Sequence, residues 1–190
     1  MTATLPALVV LAVALGELAL ILYGRFGDAD AGPPSGETWP IYVGTIQQHL
    51  LFDAVILVPA LVLGLDLGTL GLRVGFEGDL LTAVGVAVGL GVVVAALSEL
   101  LIAAVERVGY DYDRTTREVL APDDTGEWAA LLGVVLPSTS VFEELLFRGV
   151  LVGVLASVVG APWVVVAASA VAFGAIHYTG PAGVLGAVVV

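Results

Sequence analysis

Within one apolar stretch, Phe142-Glu143-Glu144-Leu145-Leu146-Phe147-Arg148-Gly149, two carboxylates and a guanidinium fall within six residues. On a helix Glu144 and Arg148 stand at i and i+4, so they share a face and pair. Glu143 is rotated about 100° from Glu144 and points elsewhere. The arginine neutralises one carboxylate. The other, held in an apolar site, is suited to proton transfer. His177 follows twenty-nine residues after Arg148, at the end of the next apolar run, in Phe173-Gly174-Ala175-Ile176-His177. Gly174 and Ala175 allow close helix approach. Glu143 lies early in its helix and His177 late in the next, so an antiparallel hairpin brings them to one depth. A carboxylate facing an imidazole can hold a water molecule or a metal ion. A buried ion-pair knot between helices is the plainer reading of the first group, but two adjacent acids are more than one arginine needs.

Other ionisable residues also interrupt apolar runs. A charge at the bilayer centre costs at least about 2.5–3.5 kcal/mol, so each is a functional candidate. Glu17, Asp53 and Glu99 stand alone in sequence and read as partners in interhelical hydrogen bonds or as near-interface groups. His49, after Gln47 and Gln48, reads as a polar belt residue.

A transmembrane helix needs about 20 mostly apolar residues, and the chain supplies several such runs. The first covers residues 5–23, broken only by Glu17. No positive charge precedes it, so it is read as a retained helix and not a signal peptide. A Gly/Pro-containing loop follows over 25–40. A second run covers 41–65, a polar turn 66–79, a third run 80–105, and a polar segment 106–127. The apolar region 128–159 is too long for one ordinary span. Pro137 is expected to break it, with Ser140 capping a restart that runs to 159. After the turn Gly160-Ala161-Pro162 comes a run over 163–178, then Gly180-Pro181, then a run that starts at Ala182 and ends at Val190 after nine residues.

The expected fold is an all-α polytopic transmembrane bundle of about five complete helices plus the start of a sixth. Residues 1–127 are read as N-terminal transmembrane helices and polar loops. Residues 128–190 are read as the catalytic-motif half of one membrane domain, incomplete at its C-terminus. Single spans put Arg25, Arg107, Arg114 and Arg117 on one side and Arg73 on the other, so the loops after the first and third runs are expected in the cytoplasm.

Composition agrees. Fifty-nine percent of the residues are hydrophobic and 13% charged, against about 25% charged in a soluble domain. Eighteen acids face six bases, all of them arginine, for a net charge of -12. A nucleic-acid partner would require a basic face and is excluded as an expectation. The acid excess fits either soluble extramembrane loops or a high-salt habitat, where screening removes self-repulsion. With no cysteine, thiol catalysis, disulfides and cysteine-ligated metals are ruled out.

Glu143-Glu144-x-x-x-Arg148 followed by Phe173-x-x-x-His177 resembles the first two motifs of the CPBP family, the type II CAAX prenyl proteases and bacteriocin-processing (Abi) membrane proteins. The specific likeness covers roughly residues 141–178. It implies a membrane-embedded endopeptidase in the cell membrane that crosses it several times. In that role Glu143 activates the hydrolytic water, His177 helps hold the water or a metal ion, Glu144 and Arg148 pair and orient the site, and Phe173 packs near the substrate groove. Zinc held by Glu143, His177 and a further ligand, or a metal-independent mechanism, both fit. The partners implied are membrane lipid and a peptide or protein substrate, prenylated or not. The family's third motif, His-x-x-x-Asn or His-x-x-x-Asp on a later helix, has no counterpart after His177, so the chain reads as a fragment with part of the site. His49-x-x-x-Asp53 has that spacing upstream and is taken as coincidence. Two rival functions stand beside the protease. One is a catalytically incomplete binding or bacteriocin-immunity protein. The other is a small transporter with a proton relay along Glu17, Asp53 and Glu99.

Overall fold

The computed structural model describes residues 5–27, 38–72, 79–109 and 118–177. Among these residues every regular element is helical, as the runs of apolar residues predict. Helix α1 is Leu5–Gly27 and α2 is Thr38–Val62; a 3₁₀ turn, Leu67–Leu70, follows. Helix α3 is Leu80–Arg107. The path 125–159 is helical throughout: α4 Thr125–Ala130, a π segment Leu131–Val135, α5 Leu136–Glu143, a second π segment Glu144–Val154, and α6 Leu155–Val159. Helix α7 is Pro162–Ile176. The run expected from Ala182 to Val190 lies outside the described residues.

Three of the helices are long and apolar enough to cross a membrane, over Leu5–Gly24, Thr38–Val62 and Leu80–Arg107, and Pro162–Ile176 is a shorter apolar helix. Their outward side chains include Leu8, Leu15, Leu20, Leu50, Leu51, Leu61, Leu90 and Val92. Helices satisfy their own backbone groups, which hydrocarbon cannot do for them, so this chain, whose described elements are all helical and carry apolar exteriors, is a membrane protein.

The chain forms two compact units, Met1–Leu72 with Arg114–Ala172, and Arg73–Asp113 with Phe173–Val190. In the first unit, α1 packs on α2 and on the second π segment, and α2 packs on α5 and the first π segment. Ala7, Val10, Leu11, Ala14 and Leu18 form the buried stripe of α1, at the three- and four-residue spacing of one helix face. Ile56 and Ala60 of α2 and Leu146, Val150 and Val154 of the second π segment are fully buried. Lipid tails are as apolar as leucine, so what holds these helices is close packing, which the small residues Ala7, Ala14 and Ala60 permit.

The break expected at Pro137 is absent: the helix continues through it, and α5 starts at Leu136 with no side-chain cap. Two features explain the continuity. Immediately ahead of the proline the coil widens to a π turn, with the Leu136 N–H donating to the Leu131 carbonyl. This wider register replaces the α ladder that proline's missing N–H and ring would otherwise disrupt. Ser138 and Thr139 then donate their hydroxyls to the Val135 carbonyl, at 2.8 and 2.9 Å, and Ser140, expected to cap a restart, lies inside α5.

In the second unit, Asp79 caps α3. Its carboxylate accepts from Thr82 Oγ1 at 2.7 Å and from the N–H groups of Thr82 at 3.1 Å and Leu81 at 3.3 Å. The Thr82 hydroxyl first, then the two backbone donors, hold this exposed carboxyl below its ordinary range. A carboxyl depressed in the folded state stabilises above its unfolded pKa of about 3.9, and that contribution is lost as pH falls through the folded value. Asp79→Ala is therefore expected to speed amide exchange at Leu81 and Thr82 at neutral pH. The difference from the parent should vanish once the pH is below the folded carboxyl's titration.

Candidate active site

Glu143 and Glu144 straddle a change of coil. Glu143 is the last residue of α5 and Glu144 the first of the second π segment. Extended π geometry is rare and concentrates at functional sites. Packing holds the junction in place: Phe142, Leu145, Leu146 and Phe147 are all buried, while Glu143 is half-buried.

Arg148 donates to Glu144 Oε1 across four residues, the pair the spacing predicts. The burial expected for it is not observed: the side chains of Arg148 and Glu144 are 76% and 56% exposed. Leu145, Leu146 and Phe147, between them, occupy the buried side, which leaves both charged groups on the outward one. Where that outward side meets water, an ion pair contributes about 0–1 kcal/mol to stability, so orientation is the larger effect open to it. Arg148→Ala should accordingly leave the unfolding midpoint in detergent nearly unchanged while lowering any Glu143-dependent turnover. A large loss of stability would restore the buried-knot reading.

One further polar group approaches this helix from α2. His49 Nδ1 lies 3.5 Å from both Ser138 Oγ and Thr139 Oγ1. Its ring stacks on Phe142 with centroids 5.0 Å apart and planes 10° from parallel, and Phe52 packs on the same Phe142 at 5.6 Å. The Glu143 carboxylate is close enough for its charge to act on the His49 ring. One turn further along α2, the Asp53 carboxylate is near enough to Glu17 of α1 for the two like charges to repel. Glu17 is only 5% exposed. Both its oxygens, and Asp53 Oδ1, are buried with no hydrogen-bond partner among the described residues. Among those residues these oxygens make none of the interhelical hydrogen bonds that were one of the two expectations for these acids. Glu99, on α3, belongs to the second unit.

Helix α7 is tied to the second π segment by Ser169 Oγ, which donates to the Phe147 carbonyl at 3.0 Å. Eight residues on, His177 ends this run, its Nδ1 2.9 Å from the Phe173 carbonyl oxygen and its ring 4.3 Å from that of Phe173. Phe173 and His177 belong to the second unit and Glu143 to the first. The facing of Glu143 and His177 expected from the sequence therefore lies outside the geometry of either unit. Among the described residues no three histidine, aspartate or glutamate side chains converge as a metal site.

The position of His49 against the motif helix is not encoded locally. Its one available signal was the four-residue spacing to Asp53. What brings it to the motif helix is the pairing of α2 with α5, which no local pattern encodes.

Residues 125–190 match the family model of type II CAAX prenyl endopeptidases, Rce1-like. No curated protein and no solved structure matches the chain. The family match contains both motifs and supports the resemblance to the CPBP family over this part of the chain. At the level of the family it supports a CAAX-type intramembrane protease, a hydrolase acting on a peptide or protein.

Proposed function

We propose that this chain carries the Glu143 part of an intramembrane CAAX-type endopeptidase of the cell membrane, crossing it several times, in which Glu143 activates the hydrolytic water. The observation that supports this most is the placement of Glu143 at an α-to-π junction, inside the family-matched segment and one residue before the Glu144–Arg148 pair.

In the proposed reaction Glu143 takes a proton from water, and the hydroxide oxygen bonds to the scissile carbonyl carbon. Glu143 then returns the proton to the leaving amine as the C–N bond breaks. The Glu144–Arg148 pair orients the site beside Glu143. His177 helps hold the water, and Phe173 packs along the substrate groove. The substrate is a protein C-terminus of the CAAX type, with prenylation as the feature to vary. If zinc takes part, Glu143 and His177 are its candidate ligands with a further one, and the ion would polarise the water or carbonyl.

The test is release of the C-terminal tripeptide from prenylated and unprenylated CAAX peptides by the chain in lipid vesicles, with Glu143→Ala as control and with a chelator as a second arm. Turnover that survives Glu143→Ala would sink the assignment. Peptide binding without turnover in the parent would favour the binding or immunity role.

A further inference from the structure

The contacts of His49 determine which of its nitrogens carries the proton. Ser138 and Thr139 each donate their single hydroxyl hydrogen to the Val135 carbonyl, at 2.8 and 2.9 Å. A hydroxyl has one hydrogen and two lone pairs. What these two can offer His49 Nδ1, 3.5 Å away from each, is therefore lone pairs, and Nδ1 is the donor. The contacts are long, so they orient the ring more than they add energy. A neutral imidazole protonated at Nδ1 has an acceptor at Nε2. Stacking on Phe142, itself held by Phe52, fixes the plane of the ring. A ring flip would give up both hydroxyl contacts. The same face of α5 leads directly into Glu143, since Thr139 and Glu143 are one helical turn apart.

We propose that His49 is a positioning residue of the Glu143 site: with Nδ1 held by Ser138 and Thr139, its Nε2 accepts a hydrogen bond from the water that Glu143 deprotonates and so aims that water's oxygen. This rests on the hydrolytic reading of Glu143. One water proton goes to the Glu143 carboxylate. The second stays on oxygen, hydrogen-bonded to Nε2, while the oxygen forms its bond to the carbonyl carbon. His49 neither gains nor loses a proton overall.

The full chain in vesicles, assayed on a prenylated CAAX peptide, provides the test. His49→Ala is expected to lower kcat by about 100-fold, the scale of a misplaced reactant, with KM unchanged. His49→Gln, whose amide oxygen can accept the same hydrogen bond, should recover part of that loss, and so should imidazole added to His49→Gly. If Glu143→Gln removes activity while His49→Ala keeps full kcat, the positioning role is wrong and the hydrolytic reading stands. If Glu143→Gln stays active, the hydrolytic reading itself fails. A measurement without turnover guards against variants that do not fold. The chain has two histidines, so a sample labelled with nitrogen-15 in imidazole gives two ring systems, which His177→Gln assigns. Protonation of neutral His49 at Nδ1 is expected, with its ring signals displaced by Glu143→Gln. A proton at Nε2, or signals that ignore Glu143→Gln, would overturn the proposal.

Discussion

Glu143→Ala is expected to lower peptide hydrolysis by about 10²–10⁴-fold, the usual contribution of a positioned general base, while the helices remain inserted and folded. The two halves of this result have separate physical causes. Fold retention follows from the neighbours: Phe142, Leu145 and Leu146 carry the packing of this turn, whereas the side chain at 143 is half-buried and its removal opens no core cavity. Loss of rate follows from the chemistry, because water attacking a carbonyl needs a positioned base to take its proton. Glu143→Gln separates the base from a space-filling role, since it keeps the volume but cannot take a proton. Initial rates for the three proteins, beside their circular dichroism in the same vesicles, check both halves. Equal rates in parent and Gln variant would move the base to another residue, with Glu144 the first to examine.

The helical runs and the Glu144–Arg148 pair were legible because each rests on local information. Apolar runs long enough to span a bilayer are a composition signal, and Glu144-x-x-x-Arg148 needs only helical spacing to become a pair. What was not legible depends on register or on partners distant in sequence. Pro137 reads as a break because an α ladder cannot absorb it; the π turn at Leu131–Val135 changes that ladder, and nothing in Leu-Leu-Gly-Val-Val announces a wider coil. Burial of the Glu144–Arg148 pair was inferred from its apolar neighbours. Those neighbours turn out to be the buried side of an amphipathic segment, with the charges opposite. The surroundings of His49 and Asp53 come from α5 and α1, about ninety and thirty-five residues away along the chain. Glu17 and Asp53 show the same limit: sequence marks them as costly and does not say that the charge of one acts on the other.

The largest effect on stability is expected at a residue with no chemistry. The 3₁₀ turn Leu67–Leu70, capped by Asp66 accepting from the Gly68 N–H at 3.1 Å, lies directly on the second π segment. It can lie there because the helix offers glycines. A Cβ on Gly149 would stand 3.0 Å from the Leu70 carbonyl oxygen, and one on Gly153 would overlap the Thr69 carbonyl oxygen outright. The obstructing atoms are backbone, so they cannot rotate away as a side chain could. Gly153→Val must therefore lift the turn or push the helix aside, and overpacking of this kind costs about 1–3 kcal/mol or more. The consequence should reach Glu143, because the displaced segment begins at Glu144 and also carries the Phe147 carbonyl to which Ser169 of α7 is bonded. Gly153→Val is expected to lower the thermal midpoint in detergent and hydrolysis together. Gly133→Val should do neither to the same degree: that glycine is also in a π segment, but a Cβ there meets nothing within 4 Å. Equal losses at 133 and 153 would mean that both positions respond to helix propensity alone, and that the turn does not brace the segment carrying the motif.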